Sequence, residues 1–291
     1  MRVQGAEWLG RLGILVIHND PVPEAEIWAM APRGVTVHTA RFDSPTRTGA
    51  EYTGSHWRAM LDEPDVAHGL DQLGQIGLDA VCLCFASSSF FGGREFDEKF
   101  TAEARGLAHD TPVFTAGQAI SAALRASGVS RPLVMLPPWF TEPTFRATTR
   151  YLSEVGFQIA ALRQFDLGTE WSEVPRHRIF DRGGRWTVRV EEVYRQAREL
   201  FPAGADGVLI PGSGFRSAEA IEPLEEDLGV PVITCNQACL WYFLRTTGLS
   251  DPVSGFGQLF GRALSPAVTS NREETSREAT TGRGSPERGR G

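Results

Sequence analysis

The chain has 291 residues, 41% hydrophobic and 22% charged, with a net charge of -7. That length suits one large or two medium domains with real cores, and the acidic balance argues against a nucleic-acid partner, which usually meets a basic face. No apolar run approaches the roughly 20 residues of a membrane helix, and the N-terminal stretch lacks the charged, apolar and cleavage regions of a signal peptide, so cytoplasm is the expected compartment.

The first strand is predicted at Leu12–Ile17, a short apolar run closed by His18-Asn-Asp-Pro21. Runs of this kind bounded by turn formers read as buried parallel strands. A helix is expected from Pro23 to Met30 and a second strand at Val35–Thr39. Asp79–Phe85 reads as another buried strand that runs into Ala86-Ser-Ser-Ser89. Pro112–Thr115 leads through Gly117-Gln118-Ala119 into a helix ending near Ser127.

The same order then recurs. Pro132–Leu136 is a strand that ends at Pro137-Pro138 and is followed by a helix reaching about Val155. Asp206–Ile210 runs into Pro211-Gly-Ser-Gly214, and Pro231–Thr234 leads through Asn236-Gln237-Ala238 into an apolar helix. The pairs Asp79-Ala-Val with Asp206-Gly-Val, and Gln118-Ala119 with Gln237-Ala238, mark an internal duplication. Strands alternating with helices imply parallel sheets. The expected architecture is α/β: two pseudo-symmetric lobes, each a parallel sheet flanked by helices, with an active-site cleft between them. Lobe 1 spans 10–127 and is completed by 236–263; lobe 2 spans 128–235. Residues 264–291 carry almost no large apolar side chain and are expected to be a disordered tail.

Ligands of open parallel sheets bind beyond the carboxyl ends of the strands. That rule places four segments in the cleft: His18–Pro21, Phe85–Ser89, Pro137–Thr141 and Pro211–Arg216. Asp20, flanked by Phe85, Trp139 and Phe140, is the first candidate for a general acid or base, because desolvation raises a carboxyl pKa toward neutrality. Its sequence, Asp20-Pro21-x-Pro23-Glu24, reads equally as a helix cap. His18, two residues earlier, shares its side if the segment stays extended; a structural histidine at a strand end is the alternative. Ser87, Ser88 and Ser213 sit in Gly/Ser loops that open helices, where amides and hydroxyls suit an oxyanion or carboxylate, or where serines simply cap. Gly212 and Gly214 flank Ser213. Arg216 offers a bidentate partner for a carboxylate, or pairs with Glu219.

The four cysteines, Cys82, Cys84, Cys235 and Cys239, lie in apolar neighbourhoods and read as free core thiols; their spacing without a nearby histidine matches no zinc site. Lys99 is the only lysine and sits in a charged stretch. There is no dinucleotide fingerprint and no Walker sequence, so a site without cofactor or metal is the simplest reading. The expected partner is a small-molecule substrate; a homo-oligomer is compatible with the sequence.

The first strand with Glu24-Ala-Glu26-Ile-Trp, then Ala31-Pro-Arg-Gly-Val-Thr-Val-His38, resembles the start of maleate isomerases and arylmalonate decarboxylases of the Asp/Glu/hydantoin racemase superfamily. Ser87-Ser-Ser-Phe-Phe-Gly-Gly93, Gly214-Phe-Arg216 and Val232–Ala238 with Trp241 extend the resemblance over residues 10–263. It implies the two-lobed fold and an enolate-like intermediate handled by two cysteines, or by the second alone in decarboxylases. In this sequence Phe85 stands at the first cysteine position and Gly212 at the second, with Ser213 for a threonine, Phe140 for a tyrosine and Asp20 for an asparagine. A one-residue shift would bring Cys84 to the first position, but strand parity groups Cys84 with Cys82. Cys235, in place of a serine, approaches the cleft beside Asn236.

The resulting expectation is a cofactor-independent isomerase or decarboxylase-like lyase that moves a proton without thiols on a small biosynthetic intermediate bearing a carboxylate or carbonyl. The alternatives are a hydrolase or dehydratase in which Asp20 or His18 activates water, and a non-catalytic binding relative.

Overall fold

The computed structural model describes residues 8–43, 50–54 and 57–265. Two four-stranded parallel sheets form it. In the first, β1 (Gly10–Ile17), β2 (Val35–Phe42), β3 (Ala80–Leu83) and β4 (Val113–Thr115) run in the order β2-β1-β3-β4. The second repeats this plan: β5 (Leu133–Leu136), β6 (Ala161–Gln164), β7 (Val208–Ile210) and β8 (Val232–Thr234) in the order β6-β5-β7-β8. Every pairing is parallel, as required of strands joined by helical crossovers.

The duplicated sequence pairs perform duplicated tasks. Asp79, entering β3, accepts the backbone N–H of Arg11 at 2.8 Å, and Asp206, entering β7, accepts those of Ser130 and Arg131 at 2.9 and 2.7 Å. Each carboxylate therefore satisfies donors where the neighbouring central strand begins. Thr115 and Gln118 form a capping box that starts α4 (Ala116–Ala126), and Thr234 and Gln237 form another that starts α10 (Cys235–Thr246). Reciprocal side-chain bonds to the exposed amides of the first turn start both helices without a loop after the strand.

The remaining crossovers are α1 (Val22–Met30), α2 (Pro64–Gln75), α3 (Ala86–Leu107), α5 (Glu142–Glu154), α8 (Val190–Glu199) and α9 (Ile221–Leu228), with single turns α6 (Arg176–Ile179) and α7 (Arg185–Thr187). α3 breaks at Gly93, whose φ of 71° only glycine adopts without strain. The second strand runs three residues beyond Thr39, to Phe42. Neither β6 nor the irregular stretch around α6 and α7 has a strong enough pattern to be read from sequence. No described helix is long and apolar enough to cross a membrane.

α10 leaves the second sheet and packs on α4 and α1, while α3 packs on α5. One continuous apolar core therefore runs through both sheets. A buried polar knot crosses the same junction: Asp97 of α3 accepts from Ser89 Oγ (2.6 Å), Thr115 Oγ1 (2.6 Å) and Tyr151 OH of α5 (2.8 Å). Asp97→Ala leaves three buried donors without an acceptor, and urea denaturation is expected to show a loss of about 1–3 kcal/mol. Unchanged stability would mean that water replaces the carboxylate at no cost. Residues 266–291 of the expected tail lie outside the described residues.

Candidate active site

The carboxyl ends of the four central strands β1, β3, β5 and β7 meet around one cavity of about 140 Å³. β1 delivers His18 and Asp20, β3 delivers Phe85 and Ser87, β5 delivers Trp139 and Phe140, and β7 delivers Gly212, Ser213 and Gly214. Each group of residues follows its strand directly, so strand order sets what faces the cavity.

Asp20 is only 2% exposed. Its Oδ1 accepts the N–H of Val22 at 3.0 Å, so one oxygen ties down the first residue of α1, much as the capping reading requires. The other oxygen faces the β7 loop: a Cβ on Gly214 would lie 2.7 Å from Asp20 Oδ2. Burial pushes the Asp20 carboxyl up to about 7, against the opposing effects of the Val22 N–H and the Arg41 and Arg185 guanidinium groups. A group with that pKa is present as acid and as base near neutrality. Gly214→Ala pushes a methyl group against this oxygen and against the Phe180 ring, 2.9 Å away. With the fold intact by circular dichroism, the variant is expected to displace Asp20, and the titration midpoint of its carboxyl, followed by carbon-13 NMR, should move away from the wild-type value.

His18 does not pair with Asp20 through strand parity. Asp20 N–H donates to Ile17 O at 3.1 Å, so the segment is already a turn, and His18 Nδ1 lies 3.7 Å from Asp43. Both side chains nevertheless line the cavity. Arg41 holds the turn, donating to the carbonyls of Ile17, His18 and Asp20 at 3.1–3.3 Å and pairing with Glu24.

Ser87 lies at the start of α3, where backbone N–H groups have no helical acceptor, and its hydroxyl has no hydrogen-bond partner among the described residues. Ser88 is a correction: it is fully buried, and its hydroxyl donates back to Phe85 O at 2.7 Å rather than facing the cavity. Arg216 is a second, since it lies outside the lining and pairs with Glu219 at 2.8 Å. Cys235 is a third: it is 1% exposed and absent from the lining, because it follows the edge strand β8 whereas the loops after the central strands line the cavity. Asn236, also buried, supports the site from behind. Its Nδ2 donates to Ser213 O at 2.9 Å and to Glu26 Oε2 at 2.7 Å. No cysteine is among the residues that line the cavity. Gly212 is hemmed in, with the Pro137 ring 2.4 Å from where its Cβ would stand.

Several contributors escaped the sequence reading. Tyr52 lines the cavity, stacks edge-on against Phe85 and Phe91, and has a buried hydroxyl with no partner among the described residues. Desolvation pushes that phenol well up, so it remains a donor. His177, Phe180 and Asp181 come from the stretch of α6 and α7. Asn19 Nδ2 donates to Asp181 Oδ1 at 2.8 Å, which fastens this stretch to the β1 loop over the cavity. Glu26 on α1 accepts from Ser217 and Ala218 N–H as well as from Asn236, and burial pushes it up to about 7.

Residues 55–260 match the arylmalonate decarboxylase family. The chain belongs to that family. It is 29% identical over 195 residues to the arylmalonate decarboxylase of Bordetella bronchiseptica, covering 63% of this chain and 72% of that one. The maleate isomerase Iso of Pseudomonas putida S16 shares the fold with a TM-score of 0.71 at 19% identity, over 87% of this chain and 98% of that one. An unliganded arylmalonate decarboxylase does so with a TM-score of 0.63 at 22% identity, over 86% and 98%. Membership of the arylmalonate decarboxylase family fits the two parallel sheets, and these relatives are decarboxylases and isomerases.

Proposed function

We propose that the cleft catalyses cofactor-independent decarboxylation, or the related isomerisation, of a small carboxylate with an apolar substituent, with Asp20 rather than a thiol moving the proton. The observation that carries this reading is the place of Asp20, buried in the wall of a cavity whose lining contains no cysteine, where desolvation pushes its carboxyl up to about 7.

In the decarboxylation, the bond between the α-carbon and the departing carboxylate breaks and carbon dioxide leaves. Its electron pair spreads onto the remaining carboxylate as an enediolate. Ser87, the first amides of α3 and the Tyr52 hydroxyl are the donors suited to that charge. Asp20, in its acid form, then gives its proton to the carbon and regains one from solvent. The rings of Phe85, Trp139, Phe140 and Phe180 accommodate the apolar substituent and strip water from the departing carboxylate. In an isomerisation the same carboxylate removes and returns a proton.

The test is turnover of a panel of arylmalonates, maleate and α-aryl monoacids in deuterated, oxygen-18 water. For the arylmalonates and monoacids, the reading expects one solvent deuterium at the product carbon, with carbon dioxide released from the diacids, and no oxygen-18 in the organic product. Oxygen-18 bonded to carbon in a product, as hydration of maleate would give together with a carbon-bound deuterium, would replace it with water activation by Asp20 or His18. No turnover of any member, with tight binding retained, would favour a binding protein.

A further inference from the structure

The four cysteines fall into two short spacings, Cys82-x-Cys84 on β3 and Cys235-x-x-x-Cys239 on α10, which the topology brings together. The strand places Cys82 and Cys84 on one side, and the helix start lays Cys239 beside them. The sulfurs of Cys82, Cys84 and Cys239 all lie within 4.8 Å of one another, the first two 3.6 Å apart. All three residues are fully buried. Among the described residues, no histidine or carboxylate joins the three sulfurs.

Cys235 touches Cys239 but lies outside the group, and three sulfurs without a fourth ligand favour a three-coordinate soft centre. With bonds to sulfur of about 2.3 Å, such a centre needs its sulfurs roughly 3.4–4 Å apart, so a small inward shift of one side chain closes the ring. Charge then selects among thiophiles. Three thiolates around a monovalent or divalent metal leave a net negative charge in this dry pocket, which is costly without a counter-ion. Three thiolates around a trivalent centre leave none.

We propose that Cys82, Cys84 and Cys239 form a buried site for a trivalent, three-coordinate thiophile, represented by the arsenic(III) of arsenite. The step balances: As(OH)3 and three thiols give one As(S)3 unit and three waters, with no change of oxidation state. Binding must await local opening of the α10 end, so it is slow. Once bound, it fastens the strand that leads into Phe85 and Ser87 to the first turns of α10, which gives a thiophile a route to the cleft from behind.

The experiment incubates the full chain with arsenite in thiol-free buffer and reads native mass spectrometry and the thiols still titratable after rapid denaturation. One arsenic bound, with a fall from four titratable thiols to one, is the expected result. Cys235→Ala should bind arsenite like the wild type, and Cys239→Ala at least tenfold more weakly. No arsenic bound, two or fewer protected thiols, or equal loss in Cys235→Ala would overturn the proposal. So would copper(I) binding where arsenite does not, because the charge argument would then be wrong. If Cys239→Ala does not fold, the wild-type thiol count decides by itself.

Discussion

Asp20→Asn is expected to lower turnover by about 10²–10⁴-fold, the range that a positioned proton donor contributes. Asparagine keeps the size of the side chain and can still accept the Val22 N–H through its amide oxygen, so the turn before α1 survives. It carries no exchangeable acid proton near neutrality. The expected pattern is therefore a fall in kcat with substrate affinity kept within a few-fold, and loss of the wild-type pH dependence near 7. A variant that turns over at the wild-type rate would remove Asp20 from the chemistry.

The second large effect is on stability, and it lies at Glu26. Glu26→Ala strips the acceptor from three buried donors at once: the Ser217 and Ala218 amides and Asn236 Nδ2. The expected loss is about 3 kcal/mol, at the top of the range for buried groups left unpaired, because two of the three donors are backbone amides that cannot turn to another acceptor. Because Asn236 also holds Ser213 O, the β7 loop should loosen with it. Glu26 also sets the pH response, together with Asp20. Both carboxyls are raised to about 7 by burial, whereas in the unfolded chain they titrate near 4. Between those values the folded protein holds protons that the unfolded chain releases. Their contribution to stability is complete below about pH 4 and is lost as the pH rises through 7, at up to about 1.4 kcal/mol per pH unit for each group. Urea denaturation at pH 5, 6 and 7 should show falling stability, with a shallower slope in Glu26→Gln. A stability that rises over this range would contradict the burial of neutral carboxyls.

What could be read in the sequence was local. Apolar runs ending in turn formers located seven of the eight strands, all but β6, and the repeated Asp-x-Val and Gln-Ala pairs exposed the duplication, because the same two hydrogen-bonding tasks recur at the same points. The strand-end rule then brought Asp20, Ser87, Trp139 and Ser213 to one place without any catalytic motif. What could not be read depended on the chain returning from far away. Tyr52 and the stretch with His177 and Phe180 carry no periodic signal, since irregular backbone has none. The meeting of Cys82 and Cys84 with Cys239 needs the packing of α10 under the first sheet. Glu26 was legible in principle: it sits among the buried positions Val22, Pro23, Ile27 and Met30, and an acid on an apolar helix face calls for a partner. Ser88 and Arg216 were misplaced because a loop fixes which residues are near a site but not where each side chain turns.

Everything proposed for the cleft depends on the Asp20 carboxyl group being poised between acid and base. Carbon-13 NMR of the protein labelled at its aspartate carboxyls follows that group directly, with the resonance assigned by its disappearance in Asp20→Asn. A titration midpoint near pH 7 is expected for the Asp20 carboxyl. A midpoint near 4, the value of a solvated aspartate, would contradict it.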